Sequence, residues 1–164
     1  MNQYSKNMVK VDENIYIGNI NSPIDISTHN NNIKLIINIS NQLIISKNIP
    51  TIYISQFKDI DFDVLNYPQE VKTKYMNRFK LIISNVCYII NKEVQKKNNV
   101  LIHCYAGMNR SATIIASYLI LYKNKTYEEA INLLTIANKK RNMPVILNNS
   151  YKKLLKNIYD FHIK

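Results

Sequence analysis

The segment His103-Cys104-Tyr105-Ala106-Gly107-Met108-Asn109-Arg110-Ser111 holds a thiol, a glycine, an arginine and a hydroxyl within nine residues. Cys104 ends a short apolar run and Arg110 opens a helical pattern, so the residues between must turn sharply. A loop of that length can curl its backbone N–H groups inward into an anion nest, backed by the positive end of the following helix. Gly107 supplies the torsional freedom that such a curl needs. Arg110 can present a planar fork of donors to two phosphate oxygens. The same positive field favours a thiolate, which makes Cys104 a candidate nucleophile. Taken singly, a cysteine after an apolar strand is a small buried hydrophobe. It is Cys, Gly, Arg and Ser together, in this order at a strand-to-helix junction, that point to covalent phosphate chemistry.

These side chains need a scaffold. Asn99-Val100-Leu101-Ile102-His103-Cys104 reads as a short buried strand whose end carries the loop, and Ser111 to Tyr122 reads as the helix that follows. Upstream, Phe79, Ile82, Ile83, Val86, Ile89, Ile90 and Val94 recur at three- and four-residue spacing and predict a helix from Arg78 to Val94. Asn14 to Asn19, Ile33 to Ile39 and Thr51 to Ile54 read as strands, and Pro23 opens a short helix through Asp25 and Ile26. After the loop, Thr126-Tyr127-Glu128-Glu129 is a capping box with Thr126 as N-cap, and Tyr151, Leu154, Leu155, Ile158 and Tyr159 mark a last helix. Strands alternating with helices predict an α/β fold, a central mostly parallel twisted sheet flanked by helices. Ligands in such sheets bind at the carboxyl ends of the strands, where His103-Cys104 falls.

Bulk properties narrow the class. At 164 residues and 46% hydrophobic, residues 1–164 are read as one domain with one substantial core. No run approaches the about 18 apolar residues of a membrane span. The opening Met1-Asn2-Gln3-Tyr4-Ser5-Lys6 lacks the apolar stretch of a signal peptide, and two cysteines in different elements fit a reducing cytoplasm. A formal charge of +11 should attract acidic or phosphorylated surfaces and other polyanions. The lysines are scattered, without zinc-finger spacing or a basic-aromatic RNA motif, so a solvated basic surface is the plainer account. Asn, Ile, Lys and Tyr are over-used, which A/T-rich codons explain, and runs such as Asn30-Asn31-Asn32 are discounted as functional signals.

The segment from His103 to Thr113 resembles the His-Cys-x5-Arg-Ser/Thr phosphate loop of protein tyrosine phosphatases, in the version used by dual-specificity phosphatases. Val11 to Asn19 is similar to that family's opening strand, Ala116 to Ile120 to the helix after the loop, and Glu129-Ala130 with Arg141 to Asn148 to its closing segment. Asn109 is similar to the residue found in poxvirus members, and with the A/T-rich composition it points to a large DNA virus. The resemblance implies a protein tyrosine phosphatase-like fold and hydrolysis of phosphotyrosine and phosphoserine/phosphothreonine in proteins through a cysteinyl-phosphate. Cys104 would attack phosphorus, and Arg110 with the N–H groups from Tyr105, Ala106, Gly107, Met108 and Asn109 would bind the equatorial oxygens. Ser111 would hydrogen-bond the sulfur and aid its departure, and His103 would orient the loop through backbone bonds. No metal or other cofactor is implied. Monomer and homodimer both remain open.

The resemblance also implies an aspartic acid that protonates the leaving oxygen, in a loop before the helix preceding the nucleophile. Asp59, Asp61 and Asp63 occupy that place. Asp59 fits first, Asp61 second, although the stretch to Cys104 is longer than the family pattern, with Asn66-Tyr67-Pro68-Gln69-Glu70 in the extra length. Cys87 is read as a packing residue on a helix face, with a redox partnership to Cys104 as the alternative. His29 and His162 have no ligand-spaced companions and carry no role. Two other readings use the same loop: an RNA 5′-triphosphatase or phosphoinositide phosphatase, and a phosphate-binding module without turnover.

Overall fold

A tight reversal at Asn14, the left-handed residue of the turn at φ 62°, opens the sheet. In the computed structural model, which describes residues 7–25, 32–44, 46–62, 64–146 and 148–163, it joins β1 (Met8–Asp12) to β2 (Ile15–Gly18) as an antiparallel pair. Asparagine tolerates this conformation better than other side-chain-bearing residues. β1 was not expected as a separate strand. Its alternation nevertheless places Val9 in the main core and Met8 against a small cluster on the opposite face.

β2 pairs in parallel with β5 (Asn99–His103), β5 with β3 (Ile33–Asn38), and β3 with β4 (Thr51–Tyr53). The order β1-β2-β5-β3-β4 therefore puts the strand that leads into the cysteine loop at the centre of a mostly parallel sheet. Val100, Leu101 and Ile102 are fully buried, as a central parallel strand covered on both faces requires. Register aligns His103 with Gly18 on one side and Asn38 on the other, so the segments leaving β2, β3 and β5 emerge side by side.

The helices join one apolar cluster with Ile15, Ile17, Leu35, Ile37, Val100 and Ile102. α3 (Arg110–Lys123) is its axis and packs against α2 (Gln69–Gln95), α4 (Tyr127–Lys139) and α5 (Asn149–His162). Every residue of α3 from Arg110 to Ile120 is buried, the pattern of a helix surrounded on all sides. The predicted capping box is present: Glu129 N–H donates to Thr126 Oγ1 at 3.1 Å, and Thr126 N–H donates to Glu129 Oε2 at 2.8 Å.

α2 begins at Gln69, well before the expected start at Arg78. Its first fully buried residue is Phe79, and before it only the half-buried Tyr75 and Met76 touch the core, too few to show a period. Of the extra length noted between the aspartates and the cysteine, Asn66 to Pro68 form a turn and the lead into α2, and Gln69 and Glu70 open the helix itself. The short helix after Pro23 is α1 (Ser22–Asp25). Ile26, His29 and Asp63 lie outside the described residues. Among the described residues no helix is long and apolar enough to cross a membrane.

Candidate active site

Residues 104–109 link β5 to α3, and the loop carbonyls are tied outward one after another. His103 O accepts from Ile39 N–H at 2.8 Å, Tyr105 O from Ile20 N–H at 3.0 Å and Met108 O from Ile146 N–H at 2.9 Å. Ala106 O accepts from Arg141 Nη2 at 2.9 Å, and Gly107 O from Asn138 Nδ2 at 2.9 Å and Arg141 Nη1 at 3.3 Å. Asn109 O accepts from Thr113 N–H at 2.9 Å and Thr113 Oγ1 at 2.8 Å. In a trans peptide the N–H points opposite to the preceding carbonyl. Fixing the carbonyls of residues 105–109 to the scaffold therefore turns the N–H groups of residues 106–110 away from it, toward the loop's interior. One of them is caught in the act: Gly107 N–H donates to Cys104 Sγ at 3.2 Å.

Gly107 can be nothing larger. Its φ is 71°, and an added Cβ would lie 2.5 Å from Arg141 Nη1 and 2.6 Å from Gly18 O. Ser111 Oγ lies 3.3 Å from Cys104 Sγ, so hydroxyl and sulfur meet as expected. Arg110 sits in the first turn of α3 with its side chain buried; Nη1 donates to Asn41 Oδ1 at 3.0 Å, and Nε stands 3.8 Å from Asp59 Oδ2. Asn109 occupies the N-cap position of α3 but makes no side-chain capping bond. Its amide turns instead to Asp59, at 3.4 Å and 3.5 Å from the two carboxylate oxygens.

Of the three candidate acids, Asp59 and Asp61 lie within the described residues and have different surroundings. Asp59 faces Arg110 and Asn109, and Asn148 Nδ2 donates to its Oδ1 at 3.4 Å. Asp61 is engaged at the start of α5: Asn149 N–H donates to Oδ2 at 3.0 Å and Ser150 Oγ to Oδ1 at 3.2 Å, while Ser150 Oγ accepts from Phe62 N–H at 2.9 Å. Buried aromatics on either side hold this segment. Phe57 stacks on Tyr151 and contacts Phe79, Phe62 packs on Tyr75, and Tyr151 Oη donates to Lys58 O. Burial pushes the Tyr151 phenol up, so it stays a donor.

His103 departs from expectation. Its ring is fully buried and neither nitrogen reaches a partner within hydrogen-bond geometry; the Cys104 backbone lies near enough only to favour the charged ring slightly. Burial outweighs this and pushes its pKa down to about 4. The loop's first tie is the main-chain carbonyl of His103, and the ring packs uncharged beneath it. Cys87 is buried between α2 and α3, with Sγ 3.7 Å from Ile114 O, and burial pushes its thiol up. Both cysteines are free. Sequence reasoning missed Asn41, Asn138 and Arg141. Arg141 is buried, which lowers its guanidinium below the ordinary value, and a negative Cys104 sulfur opposes that shift.

The sequence matches the family described as dual specificity phosphatase, catalytic domain, over residues 15–161. The chain belongs to this family. It is 30% identical over 128 residues to protein 123R of Invertebrate iridescent virus 6, named as a tyrosine phosphatase, covering 76% of this chain and 75% of that protein. It is 26% identical over 150 residues to the dual specificity protein phosphatase OPG106 of vaccinia virus, covering 89% of this chain and 78% of that protein. Among solved structures, human DUSP28 superposes with a TM-score of 0.73 at 13% identity over 96% of both chains, and DUSP15 with 0.72 at 20% identity over 93% of this chain and 86% of that one. The fold is that of the protein tyrosine phosphatases, and the chain is a cysteine-dependent dual-specificity protein phosphatase. The phosphatase loop lies where register gathers the carboxyl ends of β2, β5 and β3.

Proposed function

We propose that this phosphatase hydrolyses phosphotyrosine and phosphoserine/phosphothreonine in proteins in two transfers, with Cys104 as nucleophile, Arg110 as phosphate clamp, Asp59 as acid and base, and Ser111 as partner of the sulfur. The thiolate of Cys104 attacks phosphorus and forms an S–P bond as the bond to the substrate oxygen breaks. Asp59 gives that oxygen its proton. Water then attacks the cysteinyl-phosphate, Asp59 takes the water's proton, and inorganic phosphate leaves as the thiolate returns toward Gly107 N–H and Ser111 Oγ. The N–H groups of residues 106–110 and the Arg110 guanidinium surround the equatorial oxygens, whose charge is greatest in the transition state.

The observation that carries this reading is the outward tying of the carbonyls of residues 105–109, which preorganises the opposite N–H groups around Cys104 Sγ. A net charge of +11 would draw acidic phosphoprotein surfaces toward the site. The test is phosphate release from phosphotyrosine and phosphothreonine peptides, a triphosphate-ended RNA and a phosphoinositide, by the wild type and by Cys104→Ser. Release from both peptides by the wild type and none by Cys104→Ser is expected. Turnover by Cys104→Ser, or preference for RNA or lipid, would overturn the reading.

A further inference from the structure

Beside the loop opens a cavity of about 410 Å³, lined by Asn41, Tyr53, Ser55, Lys58, Asp59 and Ile60. Two of its walls belong to the reaction centre. Asn41 accepts from Arg110 Nη1 at 3.0 Å, and Asp59 stands 3.8 Å from Arg110 Nε. A phosphoresidue delivered to Cys104 must place its leaving oxygen at Asp59, so the chain carrying that oxygen passes this opening. The volume suits one or two side chains and exceeds what a phosphate group alone would fill.

The lining sets the chemistry of what enters. Asn41, Tyr53, Ser55 and Lys58 offer an amide, a phenol, a hydroxyl and an ammonium, all able to donate. The charge of Asp59 faces Arg110 and the amides of Asn109 and Asn148. Among the described residues no carboxylate lies within 4.0 Å of the Lys58 ammonium. The segment bearing Lys58 is anchored from behind, because Phe57 is buried and Lys58 O accepts from Tyr151 Oη. The ammonium therefore projects from a fixed stretch of backbone.

We infer that this cavity is a specificity subsite taking an anionic side chain within two residues of the phosphoresidue, with Lys58 as its determinant. The inference rests on the proposed protein phosphatase activity. Exposed charge pairs of this kind change affinity by up to about fivefold, so the preference is graded and falls with salt.

The experiment compares kcat/KM for phosphotyrosine peptides carrying Glu, a non-hydrolysable phosphonate analogue of phosphoserine, Gln or Lys at each position from two before to two after, at low and high salt. Reading the ratio within each variant cancels any change in overall turnover. At one position or more the wild type is expected to favour Glu over Gln by roughly three- to fivefold at low salt. Lys58→Gln should bring that ratio to one, and Lys58→Glu should favour the Lys peptide. Lys96→Gln removes the same formal charge at the C-terminal end of α2, remote from the carboxyl ends of the strands, and should leave the ratio intact. Comparing Glu with the phosphonate tells a carboxylate from a second phosphate as the favoured anion. A wild type indifferent to the flanking residue, or a Lys58→Gln variant with an unchanged ratio, would overturn the subsite while leaving the phosphatase reading intact. Failure to hydrolyse any of the peptides would overturn both.

Discussion

Replacing Asp59 and Asp61 in turn by asparagine should separate chemistry from scaffolding. Asp59→Asn preserves shape but leaves no proton to give. Positioned general acids contribute about 10²- to 10⁴-fold, or about 3 to 5 kcal/mol of barrier. That loss should fall on kcat/KM for an alkyl phosphate, which reports the first transfer alone, and should nearly vanish for an aryl phosphate whose phenolate leaves unaided. Asp61 accepts from Asn149 N–H and Ser150 Oγ, and asparagine retains one acceptor oxygen of the two. Losing the other bond and the charge beside the start of α5 should cost about 1 to 2 kcal/mol of stability. With a urea slope near 2 kcal/mol/M, the unfolding midpoint should fall by roughly 0.5 to 1 M, with kcat/KM on either substrate changed only a few-fold. The assay is steady-state kinetics on both esters beside urea titrations. A larger leaving-group-dependent loss for Asp61→Asn, or an Asp59→Asn loss equal on both esters, would refute the assignment.

Two further outcomes follow from the loop. Gly107→Ala forces a side chain into φ 71° and against Gly18 O and the Arg141 guanidinium; it should cost about 3 kcal/mol or more, lowering Tm by roughly 6 to 12 °C. The His103 ring ionises near pH 4 when folded and near its ordinary value of 6.5 when unfolded, so between those limits the unfolded chain binds the extra proton. Stability should therefore decline as pH falls from 6.5 to 4, by about 3 kcal/mol for this group, and should have no His103 dependence above that window. Urea midpoints for the wild type and His103→Gln across the range test this, since the variant should lose that share of the slope.

What could be read from residue order was local. Cys104, Gly107, Arg110 and Ser111 lie within eight positions, and the strand before and helix after them follow from an apolar run and a 3.6-residue period. Arg141 and Asn138 bond Gly107 O across 34 and 31 residues, and Asn41 meets Arg110 across 69. No spacing rule connects such pairs; the sheet brings Asn41 to Arg110, and the end of α4 brings Asn138 and Arg141 to the loop. The different surroundings of Asp59 and Asp61 were equally hidden, because neighbouring loop carboxylates differ only in which distant elements they face. The first turns of α2 show no helical period because only the half-buried Tyr75 and Met76 there touch the core.

Asparagine shows how composition can mislead. An A/T-rich codon bias accounts for its frequency, yet frequency says nothing of placement. With two glycines in the chain, Asn14, Asn32, Asn66, Asn124 and Asn142 occupy positive-φ positions, where asparagine is the next most tolerant residue. At the site, Asn41 holds Arg110, Asn109 and Asn148 hold Asp59, and Asn138 holds Gly107 O. An amide both donates and accepts without bringing a net charge. It can therefore order an arginine and a carboxylate around a dianionic substrate without competing for the phosphate as a carboxylate would repel it or a further lysine would bind it. Biased codon supply and the electrostatics of phosphoryl transfer thus favour the same residue here, and position in the fold, not abundance, tells which asparagines serve the site.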